Sequence, residues 1–332
     1  ANITTPTWYR LIVNCTNSNI ADTSAPRLLQ LGAFYYCYCQ SAATNTLDDD
    51  IGNFEVETYP ANTSIFTNGV ASPLTNNPTA INTYTDFTNL GPVNLYKKDV
   101  YRFNVTQINE QGFFPSSVAI YLDMNRDGIF DPIKEKIMQK VTASTTNPPQ
   151  QVNDTFRIPD TAKVGITGMR IVLVEGAFAL PSPCIQYGFG ETEDYLAYID
   201  YPPCDGNTNP GTAMISDTIL CPGFPFTVSD TSHEKYRSGL TWIWQSSTDN
   251  VNWTDIPGTD SLDTIQQVSS SVPMFYRLKM NCSFSSSSTY SNSVHLSLYP
   301  AYQCYCQSYA DGGANDISDV GAFSIGNFIV NS

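Results

Sequence analysis

The chain has 332 residues and a formal net charge of −15, although only 14% of its side chains are charged. An acidic surface repels phosphate backbones and anionic lipid, so nucleic acid and anionic membranes are excluded as partners and cation binding is favoured. Nine cysteines beside two histidines suit disulfides better than zinc and imply an oxidising, extracellular setting.

Thr, Val, Tyr and Phe gather in short runs broken by Pro, Gly, Asn and Asp, and no segment keeps a helical period. The expected fold class is therefore all-β. No apolar run approaches the roughly 20 residues that a membrane span requires.

Pro6, Tyr9, Arg10, Leu11, Asn14 and Cys15 reappear as Pro273, Tyr276, Arg277, Leu278, Asn281 and Cys282. Tyr35, Cys37, Tyr38, Cys39, Gln40 and Ser41 reappear as Tyr302, Cys304, Tyr305, Cys306, Gln307 and Ser308, again 267 positions on. Two gap-free blocks in one register predict a repeat array with that period. In chain order, 1–34 is expected to be the C-terminal part of a smaller domain. A complete larger domain follows at 35–202, then a complete smaller one at 203–300, and 301–332 opens the next larger one. One period holds Cys37, Cys39, Cys184, Cys204, Cys221 and Cys282, an even number; Cys15, Cys304 and Cys306 are expected to pair outside the chain.

In the larger domain, 118–122 reads as a strand leading into Asp123-Met-Asn125-Arg-Asp127-Gly128-Ile129-Phe-Asp131-Pro-Ile-Lys-Glu135. Oxygens at positions 1, 3 and 5 converge on a hard cation when Gly at position 6 lets the loop turn. The Ile129 carbonyl then points inward, and Asp131 or Glu135 closes the shell. Oxygen-only ligation points to Ca2+. The rival reading is an acidic turn without an ion.

A second acidic cluster, Gly190-Glu191-Thr-Glu193-Asp194-Tyr195, is expected to precede a strand at 196–199. Glu191 and Glu193 share one side while Asp194 faces away. This cluster, the Asp-x-Asn-x-Asp-Gly loop, Gly168-Met-Arg170, Cys184 and the Tyr-Cys opening together resemble the GEVED domain family of large secreted bacterial proteins. The likeness runs from about Tyr36 to Ile199. It implies a β-sandwich with a non-catalytic surface role, and it puts Glu191 or Glu193 beside the calcium loop. It also implies that the cysteine opening the domain pairs with the one before the acidic motif. The expected bonds are Cys39–Cys184 and Cys37–Cys204, with Cys37 and Cys39 read as sharing one face of a strand and their exchange left open.

In the smaller domain, Cys221, Trp244 and Cys282 follow the order of a sandwich whose inter-sheet disulfide, Cys221–Cys282, packs on a tryptophan. Alternation over 276–282 puts Tyr276, Leu278, Met280 and Cys282 on the core face. The stretch from Trp242 to Trp253, with Tyr276-Arg277 and Tyr290, resembles the Ig-like domains of Bacteroidetes surface proteins. Trp242 and Trp253 are either packing residues or a stacking platform for sugar. Thr161, Thr218, Ser261 and Thr264 stand in short motifs that resemble the O-glycosylation signal of that group.

No nucleophile elbow, metal-binding His pair, phosphate loop or basic aromatic patch occurs, so the chain is expected not to be an enzyme. The reading is an extracellular structural or adhesive filament of tandem β-sandwiches. Its partners would be neighbouring repeats, identical chains or surface glycans. The alternatives are a glycan-binding module of a secreted hydrolase and a strand-exchanged filament subunit.

Overall fold

The computed structural model describes residues 3, 5–45, 49–69, 82–109, 114–142, 150–176, 181–305, 322–325 and 328–331. Strands and short 3-10 turns supply the regular structure, with no α-helix among the described residues. The chain divides into two units, Ala1–Pro203 and Cys204–Ser332.

The first unit holds two sheets. In one, Gln150–Arg157, Val100–Asn109, Asp49–Thr58 and Ser64–Gly69 lie side by side, all antiparallel. In the other the order is Lys136–Val141, Ser116–Leu122, Gly165–Glu175 and Gly190–Asp200. The last strand takes Tyr84–Asp86 and Val93–Tyr96 as short parallel partners. Phe54, Val56, Phe103 and Val105 of the first sheet meet Val118, Ile120, Leu122, Ile171 and Leu173 of the second in one buried cluster. Period-2 alternation on facing strands makes this a sandwich core.

Ser116–Leu122 is buried along its whole length because both of its faces are apolar. Val118, Ile120 and Leu122 face the sandwich core, whereas Ala119 and Tyr121 join Val172, Phe130 and Tyr187 in a second cluster on the outer face. The opening segment of the domain lies over that outer face. Tyr38 stacks on Phe130 with ring centroids 4.1 Å apart, and Cys39 is bonded to Cys184. Gly168 permits the approach, since a Cβ there would stand 2.2 Å from the Tyr38 ring.

Two sequence expectations change here. Cys37 and Cys39 do not lie on a strand: a 3-10 turn at Phe34–Tyr36 ends on Cys37, and only Cys39 is bonded. The acidic cluster 190–195 does not precede a strand but is part of one, Gly190–Asp200. Its carboxylates are hydrogen-bonded by Thr85, Ile51, Tyr195 and Arg170, which offsets their desolvation.

The second unit pairs a three-stranded sheet, Ala213–Ile215, Phe226–Asp230 and Thr264–Val268, with a larger one. The larger sheet runs Ile219–Leu220, Val294–Leu298, Met274–Cys282, Leu240–Ser247 and Thr254–Asp255, with Ser287–Tyr290 also on Met274–Cys282. Trp244, fully buried, packs with Tyr276, Leu278, Met280, Phe226, Val228 and Ile265. Its indole N–H donates to the Leu262 carbonyl at 3.0 Å.

The disulfides of this unit are Cys204–Cys282 and Cys221–Cys304, which corrects the expected Cys37–Cys204 and Cys221–Cys282 and the expectation that Cys304 pairs outside the chain. Strand direction explains the difference. Cys221 follows Ile219–Leu220, which pairs with Ser297 and Leu298, beyond Leu296, the partner of Met274. Cys282 lies eight residues along the same strand from Met274, about 26 Å away at 3.3 Å per residue, whereas bonded cysteines need Cα atoms within about 7 Å. Cys204, whose amide donates to the Ser238 carbonyl, lies at the other end, where Leu240 pairs with Cys282. Cys37 and Cys15 are exposed free thiols; Cys306 lies outside the described residues.

The matching sequence blocks have matching pairings. Thr7, Trp8 and Tyr9 pair with Leu29, Leu28 and Arg27, just as Met274, Phe275 and Tyr276 pair with Leu296, His295 and Val294. Ile12–Cys15 pairs with Ile20–Thr23 in the register by which Lys279 to Cys282 pair with Ser287–Tyr290. The 3-10 turns Phe34–Tyr36 and Ala301–Gln303 also correspond.

Candidate metal centre

The loop leaves the end of Ser116–Leu122, where the Asp123 amide donates to the Gly168 carbonyl at 3.1 Å. Asp123 is fully buried. Its Oδ2 accepts from the Gly128 amide at 3.0 Å and from the Tyr38 hydroxyl at 2.7 Å. Asn125 Oδ1 accepts from the Asp127 amide at 2.8 Å, and Asp127 Oδ1 from the Ile129 amide at 2.9 Å. Gly128 has φ +83, the left-handed region that glycine occupies without strain. Glu135 closes the circle: Oε1 accepts from the Asn125 amide at 3.2 Å and Oε2 from the Asp131 amide at 2.9 Å. Asp131 accepts from the Ile133 and Lys134 amides, which hold its carboxyl below the usual range. Ile129 is exposed and Asp131 half-buried.

Burial raises the Glu135 carboxyl, and the charges of Asp123 and Asp127 add to the effect. Of the two cations in the loop, Lys134 acts on Asp131, and Arg126 is directed elsewhere. Arg126 turns its guanidinium to the Ile166 and Val164 carbonyls, at 3.0 and 2.7 Å. Oxygen-only donors, a glycine turn and an excess of carboxylates over cations fit a hard cation. In this conformation backbone amides donate to the carboxylates of the loop. No three acidic, His or Cys side chains converge in metal-ligating geometry among the described residues.

Glu191 and Glu193 do not join the loop. Both point into the sandwich: Glu191 Oε1 accepts from Thr85 at 2.6 Å and Oε2 from the Ile51 amide at 3.1 Å. Glu193 accepts from the Tyr195 hydroxyl at 2.8 Å. The strand register explains the separation, because Glu191 lies opposite Leu173 and Glu193 opposite Ile171, whereas the loop begins level with Gly168. Burial, then the hydrogen bond to Asp50, pushes Glu191 up to about 11. Glu193 is pushed up to about 8, again chiefly by burial, and Asp50 is raised for the same reason.

Asp194, on the opposite side, has a structural partner that sequence reasoning missed. Arg170 binds it bidentately, Nε to Oδ1 at 2.6 Å and Nη2 to Oδ2 at 2.7 Å, and donates from Nη1 to the Cys39 and Pro183 carbonyls. The motif arginine thus ties the acidic strand to both arms of the Cys39–Cys184 bond. Beside it lies a cavity of about 360 Å³ whose lining includes Tyr35, Tyr36, Tyr38, Tyr84, Gln40 and Gln186.

In the second unit, Trp253 is covered by the Arg277 guanidinium, 4.1 Å from the ring centroid, and Trp242 packs on the core. His233 is buried and hydrogen-bonded to Asp230 at 2.8 Å. Thr161 and Ser261 are exposed, and Thr218 and Thr264 stand in or beside strands.

These features define a class: β-sandwich units cross-linked by disulfides, with an acidic turn at the end of one sheet. Residues 117–198 match the family model described as GEVED domain; the likeness expected from Tyr36 onward is shown over that part. Residues 209–300 match a family described as Domain of unknown function (DUF8696). No curated protein matches the chain. Among solved structures, murine CEACAM1b is 11% identical, covering 62% of this chain and 96% of that one, with a TM-score of 0.26. A two-domain fibronectin type-III segment from chicken tenascin is 12% identical over 58% and 89%, with a TM-score of 0.21.

Proposed function

We propose that the chain is a non-catalytic structural and adhesive repeat segment of a long extracellular bacterial protein, braced by disulfides and by calcium in the Asp123–Glu135 loop. One observation carries this reading: residues 7–36 and 274–303 share both their sequence blocks and their strand pairings. Building one element twice in one chain is how tandem arrays extend, each module meeting only its neighbours. Calcium would draw Asp123, Asn125, Asp127, the Ile129 carbonyl, Asp131 and Glu135 inward from the amides they accept from, neutralising the loop's excess of carboxylates over cations. The full-length parent sequence tests the reading. Further periods of 267 residues are expected, and a catalytic domain joined to this segment would overturn it.

The rival, a glycan-binding module of a secreted hydrolase, draws on the cavity beside Arg170. Tyr36 and Tyr84 are 63% and 41% exposed there, and aromatic faces beside amides suit sugar rings. Binding of one sugar class on a glycan array, lost in Tyr36→Ala and Tyr84→Ala, would favour it.

A further inference from the structure

The two free thiols among the described residues and the exposed apolar face of residues 7–31 share one explanation. In the complete sandwich of the second unit, Tyr276, Leu278, Met280, Cys282 and Leu296 are at most 3% exposed. Their counterparts 267 positions earlier are open to solvent: Tyr9 46%, Leu11 67%, Val13 59% and Leu29 51%, with Cys15 also exposed. Strand pairing is the same in both places, so the hairpins do not differ; what differs is the cover. In the second unit Phe226, Val228, Trp244 and Ile265 supply it, all from residues 204–267.

The disulfides follow the same register. Cys282 is bonded to Cys204, and Cys304 to Cys221; Cys15 and Cys37 are the counterparts of Cys282 and Cys304. Both free cysteines therefore correspond to cysteines whose partners lie within 204–267. The third bond obeys the rule too, since Cys39 and Cys184 lie within one period. A third sequence block repeats with a seven-residue insertion: Ile325-Gly-Asn-Phe328 and Val330 match Ile51-Gly-Asn-Phe54 and Val56, 274 positions on.

We infer that residues 7–37 are the receiving half of an Ig-like sandwich, whose other half is a segment of the 204–267 type placed ahead of them in the same polypeptide. Cys15 bonds the cysteine of that segment equivalent to Cys204, and Cys37 bonds the one equivalent to Cys221. This rests on the repeat reading above and deepens it. A second intact copy cannot serve, because its Cys204 and Cys221 are already bonded. Each bond forms as two thiols give up two protons and two electrons to a disulfide oxidant such as oxidised glutathione, which leaves as two thiols. The bond of the Cys221–Cys304 type then links each Ig-like sandwich to the opening turn of the next GEVED-type segment, one covalent staple per period.

The test adds a copy of residues 204–267 directly before Ala1 of the full chain, marked by Asp205→Glu and Phe224→Tyr so that its peptides differ in mass. After oxidative refolding, non-reducing peptide mapping should join Cys15 to the added Cys204 copy and Cys37 to the added Cys221 copy. Both thiols should then lose the reactivity toward iodoacetamide that is expected of them in the unextended chain. Cys15 and Cys37 that stay reactive, or that bond each other in either chain, overturn the inference.

A second measurement does not depend on the extension folding. In the unextended chain Leu11→Asp should leave Tm unchanged, whereas Leu278→Asp should abolish the transition of the second unit; equal losses would overturn the inference. Failure here with further 267-residue periods in the parent would leave the structural reading intact. A catalytic domain in the parent would sink that reading whatever the cysteines do.

Discussion

At the residue scale, the GEVED motif works largely through Arg170. Its side chain is 3% exposed and that of Asp194 14%, so removing one partner strands a buried charge. Arg170→Met or Asp194→Ala should cost about 3–5 kcal/mol in denaturant titration, whereas Asp160→Ala, which breaks the exposed pair with Lys98, should cost under about 1 kcal/mol. Glu191 and Glu193 make a prediction with the opposite sign to most carboxylates. Their folded-state values, about 11 and about 8, lie above the ordinary 4.5. Below that value both states hold the protons. Above it the unfolded chain releases them first, so stability falls as pH rises through 8 and on toward 11. In EDTA, Tm should drop between pH 5 and pH 9, and Glu191→Gln should flatten that slope; a Tm that rises over this range contradicts the burial argument. The motif was visible in the sequence, but the roles of its acids were not. Alternation separated Glu191 and Glu193 from Asp194, yet no spacing says which face meets Arg170 and which the sandwich core.

At the element scale, the strands were legible wherever alternation met a one-sided core, as in Met274–Cys282. Ser116–Leu122, apolar on both faces, gave no such clue to the cover on its outer side. The disulfides were misread because connectivity depends on strand direction and not on spacing. Replacing both Cys204 and Cys282 by Ser should destabilise the second unit by about 4 kcal/mol, the loop entropy of a crosslink over this separation, as read from its denaturation midpoint. For the acidic loop, a hundredfold excess of calcium over Kd adds about 2.7 kcal/mol, raising the Tm of a unit this size by roughly 5–10 °C. The gain should vanish in Asp123→Ala and Asp127→Ala. Equal Tm values in EDTA and millimolar calcium would remove calcium from the account and leave an acidic turn.

At the scale of the whole molecule, composition indicated an all-β, disulfide-bearing chain, and the internal match revealed its doubled element. What composition could not supply is the cover for the exposed face of residues 7–31, because cover is a property of neighbours and not of the strand itself. The central claim is that this segment is one period of a structural array. Electron microscopy of the intact parent protein tests it most directly. The account predicts a thin unbranched rod that shortens by a constant step for each 267-residue period deleted. A compact particle whose dimensions do not scale with the number of periods would contradict it.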